Sequence, residues 1–233
     1  MKVERNLLIE ILKLTRNGPV LQDKVYKNVN VSRNFAVSML KKLEQEGVIY
    51  LRDGTLHADR LKLAVLAIRL GSDIERVCCT LDWKEFEKVA VLAFESNGYD
   101  IIKNLRFKEA EHRWEIDVVG FRKPFIVCVD CKHWLRGVYP SALKQIVEKQ
   151  VRRVEALAHA IASLSEKLPL KGWCFAKLVP VILSLVPSRF KIYEGVPVVP
   201  VFQLQDFLLQ LPSNADALRC FYRSLTDELH SGP

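Results

Sequence analysis

Apolar residues recur at helical spacing near the start of the chain, at Leu7, Leu8, Ile11, Leu12 and Leu14, and Gly18-Pro19 ends that run. A short second helix is expected over Leu21–Lys27. Ser32 suits the N-cap of a third, in which Phe35, Met39, Leu40 and Leu43 make the buried stripe and Gly47 the stop. Two β runs then meet at Asp53-Gly54, between Val48 and His57, a strong hairpin signal. Asp59–Thr80 reads as a connecting helix with a weak point at Gly71-Ser72. From Leu81 the pattern changes. A helix over Asp82–Ser96 carries Phe86, Val89, Ala90, Ala93 and Phe94 on one face, and Asn97-Gly98 turns the chain. Strands are expected at Tyr99–Ile102, Trp114–Phe121 and Phe125–Lys132, a long helix over 140–166, and strands at Lys177–Val186 and Val196–Phe202. A short helix at Asp206–Leu211 and a last one at Asn214–Leu229 close the chain. This order predicts an α/β fold with a mixed central sheet flanked by helices. It also predicts a division into residues 1–58, a connector at 59–80 and a second domain at 81–233.

Composition narrows the class. A hydrophobic fraction of 49% is that of a folded protein rather than a disordered one. The formal net charge is +8, and residues 1–80 hold 14 Lys+Arg against 9 Asp+Glu, so +5 of the excess lies in the first third. Such a bias favours a polyanionic partner, nucleic acid above all, over a merely solvated surface. The start, MKVERNLLIEILK, is charged from its second residue and lacks the plan of a signal peptide. No apolar run approaches the roughly 18 residues that span a bilayer. A soluble, cytoplasmic protein with no membrane partner is the expectation. Cysteines at 78, 79, 128, 131, 174 and 220 then read as reduced, small core residues.

The chemistry concentrates in Trp114-Glu115-Ile116-Asp117-Val118-Val119-Gly120 and, ten residues on, Val127-Cys128-Val129-Asp130-Cys131-Lys132. Both stretches are β by composition, so side chains alternate with period 2 and Asp130 and Lys132 share a face. Cys128 is in phase with Asp130 and Cys131 is not, so the Cys-x-x-Cys pair is a poor zinc site and packs as core instead. An Asp and a Lys on an otherwise apolar strand are costly to bury. A structural ion pair would offset that cost. The second carboxylate, Asp117 on the preceding strand, argues for more: two close carboxylates gain most from a shared hard cation such as Mg²⁺. The carbonyl of Cys131 can add an oxygen, and Lys132 would then stand beside a metal-held water and stabilise charge on a phosphate. Glu115 is in phase with Asp117 and is an alternative or additional ligand. His57, His112, His159 and His230 are scattered and take no role.

Residues 82–155 resemble the PD-(D/E)xK, restriction-endonuclease-like nuclease superfamily, and most closely its Mrr-type and archaeal Holliday-junction-resolvase-like branches. The resemblance rests on Phe86-Glu87 opening a helix that runs to Gly98-Tyr99, on Asp117, on Asp130-x-Lys132, and on a glutamine of the next helix. It implies a catalytic set of Glu87, Asp117, Asp130, Lys132 and Gln150, with Gln145 a weaker choice, and a Mg²⁺ or Mn²⁺ cofactor. The sequence departs from the pattern where Ile116 stands for proline and where Asp130 stands for glutamate, and Glu85 and Glu95 compete with Glu87 for the helix position. Beside the motif, His133, Trp134 and Arg136, then Lys144, Lys149, Arg152 and Arg153, are placed to contact a nucleic-acid backbone, with Trp134 able to stack on a base or to pack in the core.

Residues 1–58 resemble a winged helix-turn-helix. By that resemblance Ser32, Arg33 and Asn34 open the recognition helix, Lys41 and Lys42 lie along it, and Arg52 sits on the wing, all facing DNA; such modules also mediate protein contacts. The expected protein is a metal-dependent DNA endonuclease of repair, recombination or restriction. The alternatives are a non-catalytic DNA-binding protein that keeps a degenerate nuclease fold, and an RNA-cleaving relative whose catalytic set is not found here. A homodimer is one expected assembly, because nucleases that cut both strands are often two-fold symmetric.

Overall fold

The first amphipathic run folds as α1 (Lys2–Leu14), burying Leu7, Leu8, Ile11 and Leu12. The computed structural model describes residues 2–29, 31–132, 134 and 138–225. These fall into two compact units that divide at Phe86/Glu87.

In the first unit, β1 (Val20–Leu21) leads into α2 (Gln22–Asn28), and α3 (Arg33–Gln45) begins at a Ser32 cap whose hydroxyl accepts from the Phe35 amide. The hairpin β2 (Ile49–Arg52) and β3 (Thr55–Ala58) turns at Asp53-Gly54, both with positive φ (49° and 71°), and β1 adds to β3. Met39, Leu40 and Leu43 are buried as expected, joined by Ala36. Phe35 is not. It is 37% exposed, because the first turn of α3 holds it above the packed stripe. The connector forms α4 (Arg60–Arg69) and α5 (Ile74–Cys78), separated at Gly71, whose φ of +84° ends the first helix; Asp59 and Asp73 cap the two.

Arg60 ties this unit together. Its guanidinium donates to the carbonyl of Leu12, to Thr15 Oγ1 (3.0 Å), to the carbonyl of Thr80 (2.6 Å) and to both oxygens of Glu85 (2.6 and 3.2 Å). Arg60 and Glu85 are 12% and 15% exposed, so either one alone would be a poorly solvated charge. Arg60→Met is therefore expected to destabilise the protein by about 3 kcal/mol, with much of the loss recovered by adding Glu85→Gln. A urea melt of the single and double variants checks this; equal stability of the single variant and wild type contradicts it.

The unit boundary falls within α6 (Trp83–Ser96). In the second unit β4 (Asp100–Glu109), β5 (His112–Arg122) and β6 (Phe125–Lys132) form an antiparallel run. After α7 (Pro140–Ala160), β7 (Phe175–Ser184) pairs parallel to β6, and β9 (Val196–Pro200) pairs parallel to β7, with the two-residue β8 (Ile192–Tyr193) beyond it. Then follow α8 (Leu204–Asn214) and β10 (Phe221–Ser224). Among the described residues the sheet has seven strands, and the predicted mixed sheet with helices is what forms.

The boundaries differ where tertiary pairing decides. The strand at Tyr99 runs on to Glu109 because β5 pairs with its whole length. The long helix ends at Ala160, short of 166, and a separate 3-10 turn forms at Ser165–Lys167. Of the expected closing helix over Asn214–Leu229, the described part forms a 3-10 turn at Ala215–Ala217 and β10 instead, and residues 226–229 lie outside the described residues. β9 pairs only with residues 182–184 of β7, leaving the start of that strand open, and Phe221–Ser224 fill it opposite Leu178–Phe175. The helix α7 covers the sheet with two apolar clusters. Val154, Leu157 and Ile161 meet Ile116, Phe121 and Ile126, while Leu143, Val147 and Val151 meet Ile182, Val196 and Val198.

Candidate active site

Strand β6 is buried along nearly its whole length, and this sets the problem its two charges must solve. Asp130 is 2% exposed. A carboxylate removed from water to that degree needs close partners, and it has two. Lys132 Nζ stands 2.7 Å from Oδ2, and Arg153 Nη1, reaching over from α7, donates to Oδ1 at 2.7 Å. Pairing of Val118 with Val129 places Asp117 opposite Asp130 at the next step of the β5–β6 ladder. There the Asp117 carboxylate accepts the Cys131 amide at 2.7 Å, which locks the two strands where they part.

Burial pushes the Asp117 carboxyl above the ordinary carboxylate value of 3.8, and the negative charge of Asp130 adds to that rise; the Cys131 amide, Lys132 and Arg153 pull in the opposite direction. Between 3.8 and the raised value, the folded protein holds a proton that the unfolded chain has released, so stability falls as pH rises through that window. At neutral pH the ionised Asp117 thus weakens the metal-free fold. Asp117→Asn is expected to melt a few degrees above wild type at pH 7 in EDTA, with the gain shrinking as the pH falls through the carboxylate range. A lower melting temperature at pH 7 would contradict this.

The other predicted residues fall into place unevenly. Gln150 is fully buried on α7 and donates Nε2 to the carbonyl of Cys128 at 2.7 Å, two residues before Asp130; its Oε1 is buried without a hydrogen-bond partner. Gln145 is exposed. Of the three helix glutamates, Glu85 is held by Arg60 and by the Asp82 amide in the first unit, and Glu95 is exposed at the far end of α6. Glu87 is half-buried, and its charge, with those of Asp117 and Asp130, adds to the burial that keeps the Cys131 thiol protonated. Glu115 is 44% exposed and pairs with Arg106 Nε across β4–β5 at 2.9 Å.

Cys128 and Cys131 are buried, and burial holds both thiols far above neutrality, which agrees with packing rather than zinc or redox chemistry. The expectation that all six cysteines are core residues is corrected: Cys78 joins those two inside, but Cys79 and Cys220 are half-buried and Cys174 is exposed.

Among the residues expected to meet DNA, Arg33, Asn34, Lys41, Lys42 and Arg52 are exposed in the first unit, and Ser32 serves as the helix cap. Arg33 also lies over the Tyr26 ring and near Asp23, and Lys42 near Glu4. On α7, Lys144, Lys149 and Arg152 are exposed. Trp134 is partly buried, packed against the Leu143–Val147–Val151 cluster. His133 and Arg136 lie outside the described residues.

Two features carried no clear sequence signal. Arg153, expected on the backbone-contacting face, is a direct partner of Asp130; its position three residues after Gln150, on the same helix face, is the clue in retrospect. Asn104 interrupts the β4–β5 ladder between the Lys103–Val118 and Leu105–Ile116 pairs with a φ of +49°, a backbone conformation no composition rule announces.

The donors present are oxygens: the Asp117 and Asp130 carboxylates and the unpartnered Oε1 of Gln150. Hard oxygen donors suit Mg²⁺ or Mn²⁺. Among the described residues no group of three His, Cys, Asp or Glu converges on one point. Two carboxylates completed by carbonyl oxygens and water is nonetheless a usual way to hold Mg²⁺. The set fits such an ion, provided Asp130 yields one of its two cation partners.

A mixed sheet that presents paired aspartates and a lysine at the parting of two central strands defines a restriction-endonuclease-like domain. Residues 79–165 are an Mrr-type restriction endonuclease catalytic domain of the PD-(D/E)xK class: the family's model, described as a restriction endonuclease, matches them. An uncharacterised protein of Archaeoglobus fulgidus is 30% identical over 130 residues, covering 55% of this chain and 91% of that protein. Among solved structures, a protein of unknown function, AF1548, gives a TM-score of 0.28 at 14% identity over 42% of this chain and 46% of its own. Protein VC1899 from Vibrio cholerae gives 0.36 at 16% identity over 93% of this chain and 52% of its own. The small subunit of the heterodimeric restriction endonuclease R.BspD6I gives 0.30 at 13% identity over 69% and 80%. The chain thus spans about half the length of the first two of these structures. A restriction-endonuclease-like domain implies DNA as the substrate, and its class generally works with divalent metal ions. Among the described residues no helix is long and apolar enough to cross a membrane.

Proposed function

We propose that the protein is a Mg²⁺- or Mn²⁺-dependent deoxyribonuclease that hydrolyses phosphodiester bonds, with Asp117, Asp130 and Lys132 at its centre and Glu87 and Gln150 in support. The observation that carries this reading is that Asp117 accepts the Cys131 amide at 2.7 Å just past the Val118–Val129 pair of β5 and β6, beside Asp130, whose carboxylate lies 2.7 Å from Lys132 Nζ. Asp117 and Asp130, with the Cys131 carbonyl, would hold the ion, and Glu115, turned to Arg106, would take part only after leaving that partner. The bound ion would supply an activated water and neutralise charge on the phosphate. Lys132 then orients the attacking oxygen and stabilises charge as the new P–O bond forms and the bond to the leaving oxygen breaks. Glu87 orients Lys132 or completes the ion's shell. Gln150 fixes the end of β6 through the Cys128 carbonyl.

The N-terminal unit would dock on DNA as a winged helix-turn-helix, through Ser32, Arg33, Asn34, Lys41, Lys42 and Arg52, with Lys149 and Arg152 of α7 gripping backbone near the cut. A structure-directed role in repair, recombination or restriction, exercised in the cytoplasm and by a homodimer, fits this arrangement. Incubating the protein with linear, branched and single-stranded DNA in Mg²⁺, Mn²⁺ or EDTA tests the reading. Cleavage of at least one substrate that EDTA stops is the expected result. Binding without cleavage in every lane would instead favour a DNA-binding protein on a degenerate nuclease fold.

A further inference from the structure

Asp130 has no free side-chain oxygen: Lys132 occupies one and Arg153 the other, on a carboxylate that is 2% exposed. Resting on the metal-dependent reading above, we propose that Arg153 is an exchangeable counterion, which holds Asp130 while the site is empty of metal and moves to the DNA phosphate when a divalent cation takes its place.

Charge and chemistry select Arg153 rather than Lys132 as the partner that leaves. Asp117 and Asp130 balance Lys132 and Arg153, so the four side chains sum to zero when all are ionised. Adding a divalent cation to that set sets it against both side-chain cations. A guanidinium stays charged and relieves such repulsion only by moving. Arg153 has a way out. It reaches Asp130 from α7 rather than from the strand that carries Asp130, and it holds the carboxylate through a single guanidinium nitrogen. Lys132 sits two residues from Asp130 on the same strand face, where its reach is set by the strand itself. A released guanidinium presents a planar pair of N–H donors, the geometry that matches two phosphate oxygens. Exposed Lys149 and Arg152 on the same helix extend the basic surface.

The test compares wild type with Arg153→Gln, Arg153→Lys and Asp130→Asn in the full chain. Mn²⁺ affinity is measured by calorimetry without DNA, and binding of a DNA duplex is measured in Ca²⁺, in place of Mg²⁺. Removing one repelling charge from beside the ion should make Arg153→Gln bind Mn²⁺ about tenfold tighter than wild type. The same variant should bind duplex about tenfold more weakly in Ca²⁺. Lysine keeps the charge and loses the fork, so Arg153→Lys should match wild type towards Mn²⁺ yet share the weaker duplex binding. Mn²⁺ affinity of Arg153→Gln equal to or below wild type overturns the exchange. Should the glutamine variant fail to fold, wild-type duplex binding by Arg153→Lys overturns the phosphate contact on its own. Asp130→Asn separates this inference from its parent: wild-type Mn²⁺ binding by that variant would sink the metal site itself, whatever Arg153 does.

Discussion

Asp130→Asn and Lys132→Ala are each expected to slow DNA cleavage in Mg²⁺ by at least about a thousandfold, because one removes a metal-holding charge and the other the cation beside the developing negative charge. The two should differ in what they keep. Lys132→Ala leaves Asp117 and Asp130 free to take Mn²⁺ and removes one competitor for Asp130 Oδ2, so its Mn²⁺ affinity should equal or exceed that of wild type. Asp130→Asn should lose that affinity. The melting curve of each variant separates a chemical effect from a folding one, since Asp130 also anchors Lys132 and Arg153. Cleavage at the wild-type rate by either variant would remove these residues from the mechanism.

The second large effect is on stability and lies three residues from Asp117. Gly120 is buried on β5, and a methyl group added there would stand 2.5 Å from two ring carbons of Phe94. That ring is fully buried and meets Tyr99 edge-on at 5.4 Å, so it has nowhere to retreat. Gly120→Ala should therefore cost about 3 kcal/mol in a urea melt, and Phe94→Leu should restore part of that loss in the double variant, since the smaller side chain makes room. A near-neutral Gly120→Ala would mean that α6 can shift away from the sheet. Because α6 also carries Glu87, cleavage by folded Gly120→Ala protein reports whether that shift reaches the site.

Much of the site could be read from the chain because strand alternation is a strict rule. Once Trp114–Phe121 and Phe125–Lys132 are strands, Asp130 and Lys132 must share a face and Cys131 must leave it, as it does. The Asp53-Gly54 turn and the Ser32 cap are equally local, since a few residues decide each. What escaped reading depended on contacts distant in sequence. No local rule reveals that Arg153 crosses from α7 to Asp130, that Glu85 is held by Arg60 rather than by the site, or that Glu115 turns to Arg106. The sequence predicts a closing helix over Asn214–Leu229. An open stretch of β7 at Phe175–Leu178 made a strand of Phe221–Ser224 instead, an outcome set by the partner and not by the segment.

Glu85 is engaged by Arg60 and Glu95 is exposed, while the charge of Glu87 is felt at the Cys131 thiol, which supports Glu87 as the proposed helix acid. Trp134 is partly buried against the Leu143–Val147–Val151 cluster, while Lys149 and Arg152 of α7 are exposed.

Calorimetric titration of Mn²⁺ into wild-type protein and into Asp117→Asn, both free of DNA, tests the central claim most directly. Among the described residues Asp117 makes no ion pair, and its amide replacement is expected to stabilise the metal-free fold, so lost binding could not be ascribed to unfolding. The account predicts saturable Mn²⁺ binding by wild type and none by Asp117→Asn over the same range; equal binding by the two, or none by wild type, would contradict it.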